Sequence, residues 1–330
     1  SQGRHANMIL ALSEDDILEA VSIPETLDAV ESAIHLYETT DFYMPPRSHV
    51  DYDDINLLMM PCFVKEGFVV KLVSVAQENE QRGLPPVNGV VVLNEAQTGV
   101  PIALLNGPTL TALRTGAVGA VSIRHLAPDS SHTLGVVGAG TQGYYQAWCA
   151  AYARKLTDIT IYDRVVEKVP GMIRKLSAVV PGVRVRQVFQ IEELLENSEI
   201  VIAATSSNDP VLPDNPDLLR GKHFAGIGSY KPSMREFPEA LFKMVSRVFI
   251  DTAQAFVESG DLSDPLEKSW IKKEQVMTLG HFLQEGRDLE TIKNETTLFK
   301  SVGMALFDLC VSRLVYTRAI EKQLGIPVPL

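Results

Sequence analysis

The stretch TLGVVGAGTQG (133–143), followed by DITIYDR (158–164), decides the fold. Leu134, Val136 and Val137 make an apolar strand that runs straight into Gly138-x-Gly140-x-x-Gly143. A helix-like run follows, and a second strand, Ile159 to Tyr162, ends at Asp163. Glycine at 138 permits a tight turn, glycine at 140 lets backbone approach a pyrophosphate, and glycine at 143 lets helix pack close on strand. The helix N-terminus offers unpaired N–H groups and partial positive charge to phosphates. Asp163 is placed to accept hydrogen bonds from an adenosine ribose. Gly138, Gly140, Thr141, Gln142, Gly143, Asp163 and Arg164 are therefore the first candidate cofactor residues.

Outward from this loop the period stays βαβα. Strands are predicted at 134–138, 158–162, 183–188, 199–204, 222–227 and 247–251, and helices at 142–155, 165–179, 191–196 and 235–244. Such alternation implies a doubly wound parallel sheet, a Rossmann-type α/β layer, with ligand beyond the C-terminal strand ends. Those ends add Thr205, Ser229 and Tyr230 to the candidates.

Residues 1–7, ahead of Met8, are set aside. Residues 13–40 read as helical, with Ser13 and Asp16 as a cap, Pro24 as the first residue of a second helix, and Val30, Ala33, Ile34 and Tyr37 on one face. The extended MPPRSHV carries Arg47. From 55 to 105 the chain turns β-rich, with a hairpin at Glu95–Gly99. Lys71 interrupts the apolar run VVKLVSV, either as an edge residue facing solvent or as a group aimed into a site. A helix over 105–127, capped by Thr109 or Thr111, holds Arg114 among small apolar neighbours. After Asp251 come polar turns, ESGDLSDP, then helices near 279–286 and 301–323. The last is expected to return to the N-terminal sheet. The α+β substrate and dimerisation domain is then discontinuous, 8–130 with 305–330, around a dinucleotide-binding domain of 131–304.

Composition narrows the partners. The chain has 330 residues, 45% hydrophobic, with net charge −11, which suits about two domains and argues against nucleic acid or anionic membrane. Cys62, Cys149 and Cys310 lack any CxxC spacing and fit the reduced thiols of a cytoplasmic protein. No run reaches the ~18 apolar residues that span a bilayer, and no signal peptide is read. His49, His125, His223 and His281 share no metal-like spacing, so no metal is expected.

Taken together, Pro46-Arg47, Met60-Pro61, Lys71, LTALRTGA (110–117), GAGTQ (138–142), SGD (259–261) and FKSVGMALFD (299–308) resemble the ornithine cyclodeaminase/μ-crystallin family. That family includes archaeal-type alanine dehydrogenases and Δ1-pyrroline-2-carboxylate (ketimine) reductases. The resemblance implies a homodimer with a shared barrel, and NAD(H) or NADP(H) in the Rossmann domain. Asp163 favours NAD(H), while Arg164 would tolerate NADP(H). It places Arg47, Lys71 and Arg114 on the substrate carboxylate, a geometry guanidinium suits. Ser301, beside Lys300 and Gly303 at the opening of the last helix, falls near the nicotinamide.

Two positions depart from the cyclodeaminase pattern. Tyr230 stands where an acid holds the substrate amine, and Leu58 where a glutamate lies before the Met-Pro proline. Pro86 also replaces a small threonine. What the resemblance then implies is hydride transfer to the C=N carbon of a small cyclic 2-imino acid. Arg47, Lys71 and Arg114 bind its carboxylate, Lys71 or water supplies a proton, and Tyr230 contacts the substrate or closes the pocket. The alternatives are an ornithine cyclodeaminase with relocated acids, an alanine-dehydrogenase-like enzyme, and a non-catalytic binder of nucleotide and ligand.

Overall fold

The computed structural model describes residues 7–330. The chain divides into two compact units, one running to Arg114 and resuming at Met304–Leu330, the other spanning Thr115–Gly303.

The first unit is built on a mixed sheet. β1 (Met8–Leu12) leads to α1 (Glu14–Ala20) and α2 (Ile23–Tyr37). Ser13 with Asp16, and Ser22 with Glu25, form capping boxes that satisfy the first N–H groups of each helix. Pro24 thus occupies the second helical position, because Ser22 caps one residue earlier than expected. Next come β2 (Phe42–Tyr43), β3 (Ser48–Tyr52), β4 (Ile55–Val64), β5 (Gly67–Ala76), β6 (Val87–Glu95) and β7 (Pro101–Asn106). The Glu95 carboxylate fixes the β6–β7 turn by accepting from the Gln97 and Thr98 N–H groups. α3 (Gly107–Leu126) starts two residues before Thr109, because the Asn106 side chain caps it by accepting from Thr109 N–H at 2.9 Å.

The chain returns to this unit with α12 (Ala305–Lys322) and β16 (Ile326–Pro329). Strand order is β16-β1-β7-β6-β5-β4-β2, with β3 also on β4. Among the described residues only the β1–β7 pair of this sheet is parallel. α12 packs on β4, β5 and β6 and against α2, where Arg318 Nε meets the Glu25 carboxylate at 2.7 Å. At the β16 edge, Leu330 N–H donates inward to Asn7 O. Alternation then points the backbone of residues 327 and 329 outward, and both are proline.

The second unit is an all-parallel sheet. Its strands are β8 (Thr133–Val137), β9 (Asp158–Tyr162), β10 (Arg184–Gln187), β11 (Ile200–Ala203), β12 (His223–Gly226), β13 (Val248–Ile250), β14 (Val276–Thr278) and β15 (Thr297–Lys300). The order is β10-β9-β8-β11-β12-β15-β13-β14, a doubly wound arrangement centred on β8. Between strands lie α4 (Thr141–Ala153), α5 (Val169–Val179), α6 (Ile191–Glu196), α7 (Pro216–Leu219), α8 (Glu239–Met244), α9 (Ala255–Glu258), α10 (Gly260–Glu267) and α11 (Leu279–Glu285). Both faces are buried, so β11 is apolar at every position. Ile200 and Ile202 join Ala147, Ala150, Met172 and Leu176 on one side, while Val201 and Ala203 join Leu194, Phe224, Phe237 and Phe242 on the other. Each such Ile, Leu or Phe contributes roughly 1.5–3 kcal/mol.

Three readings change here. The segment ESGDLSDP is not a set of loose turns, since Ser259 caps α10 through Asp261 N–H. Residues 297–300 form strand β15 rather than leading into a helix. The last helix begins at Ala305, not 301, because the Asp251 carboxylate takes the N–H groups of Val302 and Gly303 and the Ser301 hydroxyl.

Inside this sheet His223 is fully buried. Ser122 donates its proton to Gly119 O. The imidazole Nε2–H therefore donates to Ser122 Oγ (3.1 Å), and Nδ1 accepts from Thr297 Oγ1 (2.8 Å). Burial first, then the Arg154 charge, hold its pKa down to about 3 from 6.5. The unfolded chain takes up this proton at a higher pH than the folded one, so stability falls as pH drops from about 6.5 towards 3. Replacing His223 by glutamine should flatten the acid limb of a Tm-against-pH curve in that window. An equally steep limb would remove His223 as its cause.

Candidate functional site

In the second unit the glycine loop is built as its spacing requires. Gly138 has φ +112°, open to glycine and strained for other residues, and a Cβ there would run into the Ala204 carbonyl. A Cβ at Gly143 would meet the Gly138 carbonyl, while one at Gly140 would enter open space. The α4 N-terminus begins at Gly140 with no side-chain cap, so its first N–H groups are left for a ligand's oxygens. Next to it, Gln142 Oε1 is buried without a hydrogen bond. Asp163 accepts from Ala139 N–H through one oxygen and from Val165 N–H through the other, both at 2.8 Å. A carboxylate oxygen has two acceptor sites, so one per oxygen remains for ribose hydroxyls. Thr141 and Arg164 are exposed beside it. An uncapped helix start, an open Gly140 and an orphaned acceptor fit a dinucleotide.

The other strand ends are tied down from beneath. Glu236 accepts from Thr205 N–H (2.8 Å), Thr205 Oγ1 (2.7 Å) and Gly228 N–H (2.8 Å), stapling the ends of β11 and β12. Asp261 accepts from Ser229 Oγ at 2.6 Å and from the N–H groups of Glu236 and Phe237. Ser301 gives its hydroxyl to Asp251 at 2.8 Å. Lys300 is buried among these acids and donates to Gly226 O. Burial raises Glu236 and Asp261, opposed by the Lys300 charge, and burial lowers Lys300. The hydroxyls of Thr205, Ser229 and Ser301 are thus engaged by buried carboxylates. Tyr230 is 51% exposed after β12, with the Lys231 ammonium 5.6 Å from its ring centroid.

The first unit holds the cationic cluster. Lys71 lies on β5 between β4 and β6, registered against Met60 and Val91. Alternation puts it on the buried face with Val69, and it is only 2% exposed. This excludes the solvent-edge reading. Its ammonium reaches Thr111 Oγ1 at 3.2 Å and both oxygens of Asp308 at 3.2 and 3.1 Å. Arg114, 4% exposed on α3, donates from Nε to Asp308 Oδ1 at 2.9 Å. Arg47, half-buried just before β3, acts on Lys71 through its charge. Burial first, then Arg114, lower the Lys71 pKa to about 7, against the pull of Asp308. Burial would raise Asp308, but Arg114 and Lys71 outweigh it and hold its carboxyl below the usual range.

Asp308 is the residue that the motifs did not single out. It closes FKSVGMALFD, yet reads as one polar position of an amphipathic helix. Its neighbours Phe307 and Leu309 are also buried, the one local hint that this acid faces inward. This one resident carboxylate offsets part of the three cations' charge, and the cluster stays net positive. Among the described residues no group of three or more His, Cys, Asp or Glu is arranged to hold a metal.

The model of the ornithine cyclodeaminase/mu-crystallin family matches residues 6–323. A Δ1-pyrroline-2-carboxylate reductase of Bacillus cereus is 28% identical over 324 residues, covering 96% of this chain and 98% of the relative. The solved Thermococcus litoralis Δ1-pyrroline-2-carboxylate reductase, in complex with NADH and L-proline, matches with TM-score 0.89 at 30% identity over 97% of this chain and 100% of that one. An archaeal alanine dehydrogenase dimer with bound NAD matches with TM-score 0.88 at 26% identity over 98% and 99%. With a family match over almost its full length, the chain belongs to the ornithine cyclodeaminase/mu-crystallin family.

Proposed function

We propose that this protein is an NAD(P)H-dependent reductase of cyclic 2-imino acids, of the Δ1-pyrroline-2-carboxylate reductase type. One observation carries the choice over a cyclodeaminase. Asp308 is the buried carboxylate of the first unit among the described residues, and it is already bound to two cations. With Leu58 at one family acid position and Tyr230 at the other, neither position can pair with an ornithine ammonium.

The residues then divide the work. Arg114 and Arg47 take the substrate carboxylate, Arg114 as a planar donor fork. Lys71, with a pKa near neutrality, holds a proton for the imine nitrogen in reduction and accepts one in the reverse direction. The α4 N-terminus with Gly140 receives the dinucleotide's phosphates, and Asp163 its ribose. NAD(P)H, when bound, supplies the hydride for the imine carbon. Consumption of one hydride and one proton converts C=N to CH–NH.

The test is NADH oxidation with pyrroline-2-carboxylate and piperideine-2-carboxylate, beside ornithine with NAD⁺. Turnover of either imino acid without ammonia release from ornithine is expected. Silence on both imino acids, or ammonia from ornithine, defeats the reading. Asp163 favours NAD(H), and Asp163→Ser should move the NADPH/NADH ratio of kcat/KM towards NADPH. An unmoved ratio would deny Asp163 that part.

A homodimer through the β3–β6 end of the mixed sheet is part of the proposal. Val50, Tyr52, Ile55 and Val87 are exposed there across three strands, and grouped exposed apolar side chains mark interaction surfaces. No described helix is long and apolar enough to cross a membrane, and Cys62 and Cys149 are buried and unbridged. The free thiols fit a reducing, cytoplasmic setting.

A further inference from the structure

Two cations of the cluster share a single carboxylate brought from α12. Asp308 Oδ1 accepts from Arg114 Nε at 2.9 Å, and both its oxygens lie within 3.2 Å of Lys71 Nζ. All three side chains are at least nine-tenths buried. An ion triad of this kind need not stabilise a fold, since desolvation often cancels the attraction. Its geometry does fix where two long, flexible cations point. We propose that Asp308 is a positioning residue for the reduction, one that aims Lys71 and Arg114 together and keeps Lys71 in the ammonium form that donates the proton. This rests on the reading of Lys71 as proton donor.

The surroundings of Lys71 support it element by element. α3 presents Thr111 and the Arg114 cation, the segment before β3 presents the Arg47 cation, and α12 presents Asp308. β4 and β6 set Met60 and Val91 beside it. The thiols on the same elements, Cys62 of β4 and Cys310 of α12, stay protonated, because burial pushes Cys62 up to about 12 and Cys310 up to about 11. Asp308 is the anion acting on Lys71. Without it, burial and both arginines all favour losing the proton.

The experiment is the pH profile of kcat/KM for imino-acid reduction in wild type, Asp308→Asn and Lys71→Met. In wild type the rate should fall as pH rises through about 7. In Asp308→Asn that limb should move down by about one unit or more, so the deficit grows from about twofold at pH 6 to about tenfold at pH 8. A loss by the same factor at every pH, with the limb in place, overturns the proposal and leaves Asp308 a structural brace. Lys71→Met separates this from the reading beneath it. If that variant keeps the wild-type profile, the proton-donor reading fails. If it abolishes the limb while Asp308→Asn leaves it unmoved, only the role of Asp308 fails. Should the asparagine protein not fold, Asp308→Glu and Asp308→Gln repeat the comparison of charged against neutral. The limb should lie lower in the glutamine form, and coincident limbs overturn the proposal.

Discussion

Replacing Arg114 by leucine should lower kcat/KM for the imino acid by about 300-fold, the middle of the roughly 2–5 kcal/mol at stake when one partner of a buried charge pair is truncated. The substitution removes a buried guanidinium that is tied to Asp308 at 2.9 Å. It also removes a positive charge that lowers the Lys71 pKa. Two readouts should therefore move in a combination that general misfolding does not give. Activity falls, and the alkaline limb of the pH profile shifts upward, opposite to the shift expected for Asp308→Asn. Arg114→Lys should recover part of the limb position and little of the rate, because a point charge lacks the planar fork. A leucine variant within threefold of wild type would take Arg114 out of substrate binding.

Replacing Gly140 by valine should weaken NADH binding by about 100-fold, equivalent to about 2.7 kcal/mol, with Tm unchanged. The two neighbouring glycines cannot be used this way. Side chains at Gly138 and Gly143 would strike backbone carbonyls, so loss of binding there could follow from a damaged loop. At Gly140 an added Cβ meets nothing within 4 Å, so the new side chain grows into the space left for phosphates. Fluorescence titration with NADH, paired with a melting curve, checks both halves. Unaltered affinity would mean that the dinucleotide does not cross Gly140. A lowered Tm would mean the space is not free.

How much of this was readable in the sequence follows from how local each feature is. The cofactor side lies within one strand–loop–helix unit, and its glycines announce themselves by spacing. Lys71 was ambiguous because GFVVKLVSV is apolar on both faces, so alternation gave no sign of which face it takes. Its burial depends on β4 and β6 lying on either side and α12 above. Asp308 was harder still, since it is 237 positions from Lys71 and 194 from Arg114. Nothing nearby in sequence shows which acid answers a buried cation. β15 is hard to read from sequence because TLFK is short and runs into residues that look like a helix start. The helix is delayed by Asp251, itself 51 to 52 positions away. The Thr109 cap failed on a nearer competitor, as the Asn106 amide oxygen was already within reach.

The proline pattern of β16 bears on how the folded chain behaves in company. An exposed strand normally invites a stranger by offering donors and acceptors in turn. Here both outward positions are imino acids, so a passing strand finds carbonyls and no hydrogen to share. Lateral growth of the sheet on that side is frustrated at its first step, even with Ile326 and Leu330 exposed. That leaves stickiness without a template, a combination that tolerates high concentration better than an open ladder would.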